Sequence, residues 1–129
     1  MYLIDSSVWI EYLRPHGSQK VKDRVREILQ REEAYCCGIV AVEVLRGAKT
    51  EKDWNALWEA LSSLPQLPLD DTVIERASKW GFLLDRKGKT ASTTDLLIAS
   101  AAHKKAKLIH LDKDFTMIAA TTGLEEELL

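Results

Sequence analysis

The chain of 129 residues has only two cysteines, Cys36 and Cys37, and they are neighbours. Adjacent cysteines bridge only with strained geometry, so no disulfide framework underlies this fold. The spacing of a zinc site is also missing. Both residues lie in the apolar run Ala34-Tyr35-Cys36-Cys37-Gly38 and read as small buried side chains. Three prolines and six glycines are too few for a flexible linker or a low-complexity segment. No apolar run is long enough to cross a membrane. No basic start followed by a hydrophobic stretch reads as a signal peptide, so the expected location is the cytoplasm, with no membrane partner. Basic excess is absent too. Lys+Arg 18 against Asp+Glu 20 leaves a net charge of −2. That excludes a wholesale basic face for nucleic acid, and any such function needs a local patch.

What is present is an ordinary globular composition, 46% hydrophobic and 29% charged, at a length that suits one core. One domain over residues 1–129 is expected. Short apolar runs alternate with helical stretches, which predicts a parallel sheet flanked by helices. Strands are expected at Tyr2 to Asp5, Ala34 to Gly38, Gln66 to Leu69 and Lys107 to Leu111. The first of these goes straight into the core and is expected to be central. Helices are expected over Ser7 to Leu13, Lys20 to Arg31, Ile39 to Arg46 with Gly47 as C-cap, and Glu51 to Leu64. Further helices follow from Asp71 to about Arg86, from the capping box Ser92-Thr93-Thr94-Asp95 through Ala106, and from Asp114 to Thr121, ended by Gly123. Lys87-Gly88-Lys89 reads as a loop.

Five acids stand in apolar surroundings. Asp5 follows Tyr2-Leu3-Ile4, and Glu43 interrupts Ile39-Val40-Ala41-Val42-Glu43-Val44-Leu45. Asp95 precedes Leu96-Leu97-Ile98-Ala99, and Asp112 and Asp114 follow Leu108-Ile109-His110-Leu111. Each has a local alternative. Asp5 and Asp95 suit helix caps, Glu43 could sit on a solvated face, and Asp112 and Asp114 suit a polar turn. Together, however, all lie at strand carboxyl ends or in the first turns of helices. In a parallel sheet those positions share one edge, where ligands bind. Converging carboxylates repel by about 4 kcal/mol per pair at 4 Å and an effective dielectric of 20. They must either take up protons or enclose a cation. All-oxygen ligands select Mg²⁺ or Mn²⁺, and such sites serve phosphodiester cleavage.

Four motifs appear in order. They are Leu3-Ile4-Asp5-Ser6-Ser7-Val8, Val42-Glu43-Val44-Leu45-Arg46-Gly47, Thr94-Asp95-Leu96-Leu97-Ile98-Ala99 and Asp112-Lys113-Asp114-Phe115. Each is weak alone; the ordered set resembles a PIN-domain ribonuclease, specifically a VapC-type toxin of a toxin–antitoxin pair. The resemblance implies a three-layer α/β/α sandwich on a parallel sheet. It also implies a Mg²⁺- or Mn²⁺-dependent endoribonuclease, usually a homodimer, held inactive by an antitoxin protein. Position by position it makes Asp5, Glu43, Asp95 and Asp112 the catalytic quartet. Asp5, Asp95, Asp112 and Asp114 become the metal-ligand candidates. His110 departs from the family pattern, which usually has Thr or Ser there; it reads as structural.

Ser7 is a candidate for substrate contact, as are Arg46, one turn after Glu43, and Arg86, Lys87 and Lys89, just before Asp95. The bland alternative for the cations is a solvated helix end. Trp54, Leu57, Trp58 and Leu61 form one helical stripe, for which core packing is expected; the rival is a groove for an antitoxin helix. A haloacid-dehalogenase-type phosphatase wants a second Asp two residues after the first, where Ser7 stands. A receiver domain wants an acidic pair there, and a catalytically inactive binding module has no need of all four acids.

Overall fold

A computed structural model describes residues 1–129. Five strands form one sheet: β1 (Tyr2–Ile4), β2 (Ala34–Cys37), β3 (Gln66–Leu67), β4 (Lys107–His110) and β5 (Glu126–Leu128). Their order is β3-β2-β1-β4-β5, and every pairing is parallel. Seven helices connect them: α1 (Ser6–Leu13), α2 (Gln19–Gln30), α3 (Gly38–Leu45), α4 (Glu51–Ser62), α5 (Asp71–Arg86), α6 (Thr93–Ala102) and α7 (Lys113–Thr122). The first strand is central, as its apolar content predicts. Successive strand residues point to opposite faces, yet Leu3, Ile4, Leu108 and Ile109 are all fully buried. Both faces of the sheet are therefore covered by helices, which is the expected three-layer arrangement.

The strand order places the site. From β1 the chain steps to β2 and β3 on one side, then returns to β4 on the other. The connections that leave β1 and β4 diverge, and the carboxyl ends of these neighbours face a crevice between them. Register pairs Ile4 with Ile109, so Asp5 and His110 leave the sheet side by side.

Four expectations need correction. A fifth strand, β5, was not anticipated, because Glu125-Glu126-Glu127 has no strand character of its own. It is held by pairing with β4 and by Arg24, whose Nε and Nη2 donate to the two carboxylate oxygens of Glu127 at 2.9 and 3.2 Å. Helix α6 ends at Ala102 rather than Ala106, because Lys104 turns the chain with a left-handed φ of 60°. Gly47 is not a left-handed cap; α3 closes on Arg46, and only Gly88 and Gly123 among the glycines have positive φ. Trp54 and Trp58 do not join the core. They stack on each other at 5.6 Å with planes 4° apart and are 41% and 51% exposed. Only Leu61 of that stripe is buried.

Candidate active site

Asp5 is 4% exposed at the end of β1 and is the N-cap of α1. Its Oδ2 accepts from the Ser7 amide at 3.1 Å and from the Ser7 hydroxyl at 2.5 Å. The Ser7 oxygen in turn accepts from the Leu111 amide at 3.3 Å. Ser7 thus ties the end of β1 to the end of β4 and spends its proton on Asp5. The contacts recorded for this candidate substrate contact are internal. Its neighbour Ser6 was not anticipated. Ser6 is buried, and its hydroxyl donates to Glu43 Oε1 at 3.2 Å, joining α1 to α3.

Asp95 lies in the first turn of α6, where its amide donates to Ser92 Oγ at 3.1 Å. The reciprocal bond from the Ser92 amide to the Asp95 carboxylate, which would complete a capping box, is not made. That carboxylate instead meets other acids. Asp95, Asp112 and Asp114 each offer a carboxylate oxygen within 4.8 Å of the other two. Asp112 is the N-cap of α7, its Oδ1 accepting from the Asp114 amide at 2.9 Å.

The electrostatics bind the remaining acids to this trio. Burial pushes the Asp95 carboxyl up to about 6, and the negative charges of Asp5, Asp112 and Glu43 push the same way, against the lowering effect of the nearby Ser92 side chain. Burial and the charge of Asp5 also raise Glu43, opposed by Ser6 and Arg46. Such crowding survives because three helices, α1, α6 and α7, point their N-termini at it. Each N-terminus carries about half a positive charge.

The structure does not bring the cationic candidates together as a group. Arg46 is near enough to Glu43 to lower its pKa. Arg86 instead lies 4.2 Å over the ring of Phe82, and Lys87 and Lys89 are exposed in the turn after α5. None of these three is among the charges acting on Asp95. His110 is fully buried, as a structural histidine should be.

The matched family model is that of the PIN domain, over residues 2–120. Among curated proteins, VapC ribonuclease Mb1587 of Mycobacterium bovis is 37% identical, over 97% of this chain and 96% of the relative. The chain belongs to the PIN-domain family, in its VapC ribonuclease branch. Ribonuclease VapC11 of Mycobacterium tuberculosis matches to the same extent, 37% over 97% and 96%. In fold the chain also resembles VapBC2 from Rickettsia felis, a structure solved bound to a DNA fragment from its promoter. There the TM-score is 0.80 at 19% identity, over 99% of this chain and 98% of that one. The PIN fold explains why the acids are scattered in sequence: Asp5 follows β1, Asp95 and Asp112 stand at the starts of α6 and α7, and Glu43 lies in the second half of α3.

Proposed function

We propose that this protein is a Mg²⁺- or Mn²⁺-dependent endoribonuclease, the toxin of a toxin–antitoxin pair. One observation carries the reading: Asp95, Asp112 and Asp114 converge within 4.8 Å while Asp5 and Glu43 act on the same point. The donor set is all oxygen and highly anionic, which fits a hard divalent cation. Burial first, and then the neighbouring negative charges, raise the Asp95 carboxyl, and a bound cation would offset both. Asp5, Asp95, Asp112 and Asp114 would hold it. When bound, the ion lowers the pKa of water and neutralises phosphate charge.

The chain's own residues do the remaining work. Ser7 orients Asp5 through two hydrogen bonds, and Ser6 orients Glu43. In this reading Glu43, held by Ser6 and less acidic than an ordinary glutamate, takes a proton at its carboxylate from an attacking water. Arg46, and more distantly Arg86, Lys87 and Lys89, offer charge to RNA phosphates. The Ser7 hydroxyl beside Asp5 donates to that carboxylate and His110 is buried; in this reading water attacks phosphorus. Fragments should therefore carry 5′-phosphate and 3′-hydroxyl ends. The test is cleavage of cellular RNA with and without EDTA, with Asp5→Asn as control. Cutting that survives EDTA, or 2′,3′-cyclic phosphate ends, overturns the reading.

The partner in this reading is an antitoxin protein. The relatives solved as VapBC pairs support it. So does an apolar groove of about 680 Å³ lined by Ile10, Leu13, Val44 and Leu57, on whose helix α4 the tryptophans Trp54 and Trp58 stand exposed. An amphipathic segment suits such a groove. A homodimer is also part of this reading, with the exposed Ile74, Phe82 and Leu83 of α5 as the surface offered. Light scattering of the purified chain tests that; a monomer at micromolar concentration refutes it.

A further inference from the structure

The buried end of β4 holds a polar arrangement that packing alone does not require. His110 is fully buried, its ring 5.2 Å from that of Phe115. The Asp112 amide donates to His110 Nδ1 at 3.2 Å. A nitrogen that accepts carries no proton, so the ring proton sits on Nε2. There it meets Glu126 Oε2. The same Glu126 oxygen accepts from Thr116 Oγ1 at 3.3 Å. Glu126 belongs to β5, in register with Leu108, two residues before His110; the two side chains therefore share a face. Three elements, β4, β5 and α7, are thus wired to the backbone of Asp112. An aliphatic residue at position 110 would fill the same space without the desolvation cost of an imidazole. A fully satisfied polar pair, by contrast, fixes direction.

We propose that His110 and Glu126 are a positioning pair that holds Asp112 in the orientation its carboxylate needs to bind a divalent cation. The inference rests on the metal-dependent reading given above. The mechanism is geometric. Glu126 fixes the tautomer and tilt of His110, and His110 anchors the Asp112 amide. With its backbone anchored, the Asp112 carboxylate caps α7 through the Asp114 amide and faces Asp95. Outer partners of metal ligands typically change affinity by roughly 10–100-fold when removed.

Two measurements on the full chain test the pair. In long-range ¹H–¹⁵N spectra recorded with EDTA, wild type and Glu126→Gln should show His110 protonated on Nε2 alone. Glu126→Ala should show a mixture of tautomers. In calorimetric Mn²⁺ titrations, Glu126→Ala should bind about tenfold more weakly or worse. Glu126→Gln, which keeps an accepting oxygen, should stay within about threefold of wild type. His110→Asn, whose side-chain oxygen falls near Nδ1, should likewise bind better than His110→Leu. Melting curves show which variants are folded at the titration temperature. A wild-type His110 protonated on Nδ1 overturns the proposal. So does a folded Glu126→Ala that binds Mn²⁺ as wild type does, or a Glu126→Gln as weak as Glu126→Ala. Wild type that binds no divalent cation refutes the metal reading itself, and the pair's role toward a cation falls with it. Wild-type binding with unaltered variants refutes the positioning pair alone.

Discussion

Replacing Asp95 with Asn should make the metal-free protein more stable. The folded carboxyl is pushed from 3.8 up to about 6, first by burial and then by Asp5, Asp112 and Glu43. At 1.36 kcal/mol per unit, a shift of that size is worth about 3 kcal/mol. Two terms reduce it. The group is only partly buried, so solvent screens part of the repulsion, and the charge gains about 0.3–1 kcal/mol at the N-terminus of α6. A net gain of roughly 1–2 kcal/mol remains, or about 4–7 °C in melting temperature at an unfolding entropy near 2.1 cal/mol/K per residue. The sign with pH follows from linkage. An acid whose folded pKa is raised destabilises wherever it is ionised, so the penalty is absent below 3.8, grows up to about 6 and is complete above. The variant's advantage should therefore be full at about pH 8 and vanish near pH 4. The other titrating groups are common to both proteins and drop out of the difference. The assay is thermal unfolding in EDTA across that range. Millimolar Mn²⁺ should then reverse the ranking, because a cation that binds only the folded state stabilises it by mass action, and Asp95→Asn has lost a ligand. A variant no more stable than wild type at about pH 8, or an advantage undiminished at pH 4, refutes the claim that burial and neighbouring charge together oppose ionisation of Asp95.

Further outcomes follow from the same geometry. Trp54→Ala and Trp58→Ala remove exposed rings, so stability should change by no more than about 1 kcal/mol. Antitoxin binding should weaken by about 2 kcal/mol for either, near thirtyfold; unchanged affinity in both would remove α4 from the interface. Arg24→Ala leaves the edge strand β5 without its paired contacts to Glu127. The cost should be about 1 kcal/mol, with hydrogen-exchange protection lost first in β5; uniform protection would show that the pair does not hold the edge. The Arg24 guanidinium holds Glu127 below the ordinary glutamate value. Its stabilisation is therefore present above the unfolded pKa and lost as acidification protonates the folded group, so Arg24→Ala and wild type should converge in stability at low pH.

The sequence by itself determined the alternation of short apolar strands and helices, the central place of the first strand, the helix starts marked by Ser and Asp, and the end of α7 at Gly123. These are local matters: period, propensity and capping act within a few residues, so one sequence suffices to see them. It also singled out the acids, because a carboxylate amid Leu, Ile and Val is costly wherever it ends up. Tertiary structure decided the rest. Glu126 and Glu127 became a strand only because β4 offered an open edge and Arg24 a partner. Two tryptophans with the spacing of core residues were left outside, because Leu61 and the partly buried Leu57 make the contact between α4 and the core. The proton of Ser7 went to Asp5, and the lone pair of His110 Nδ1 to the Asp112 amide. Which carboxylates share one space depends on strand order and on where three helices begin. Such distances are set by contacts between residues as far as 104 positions apart, and no local pattern in the chain encodes them.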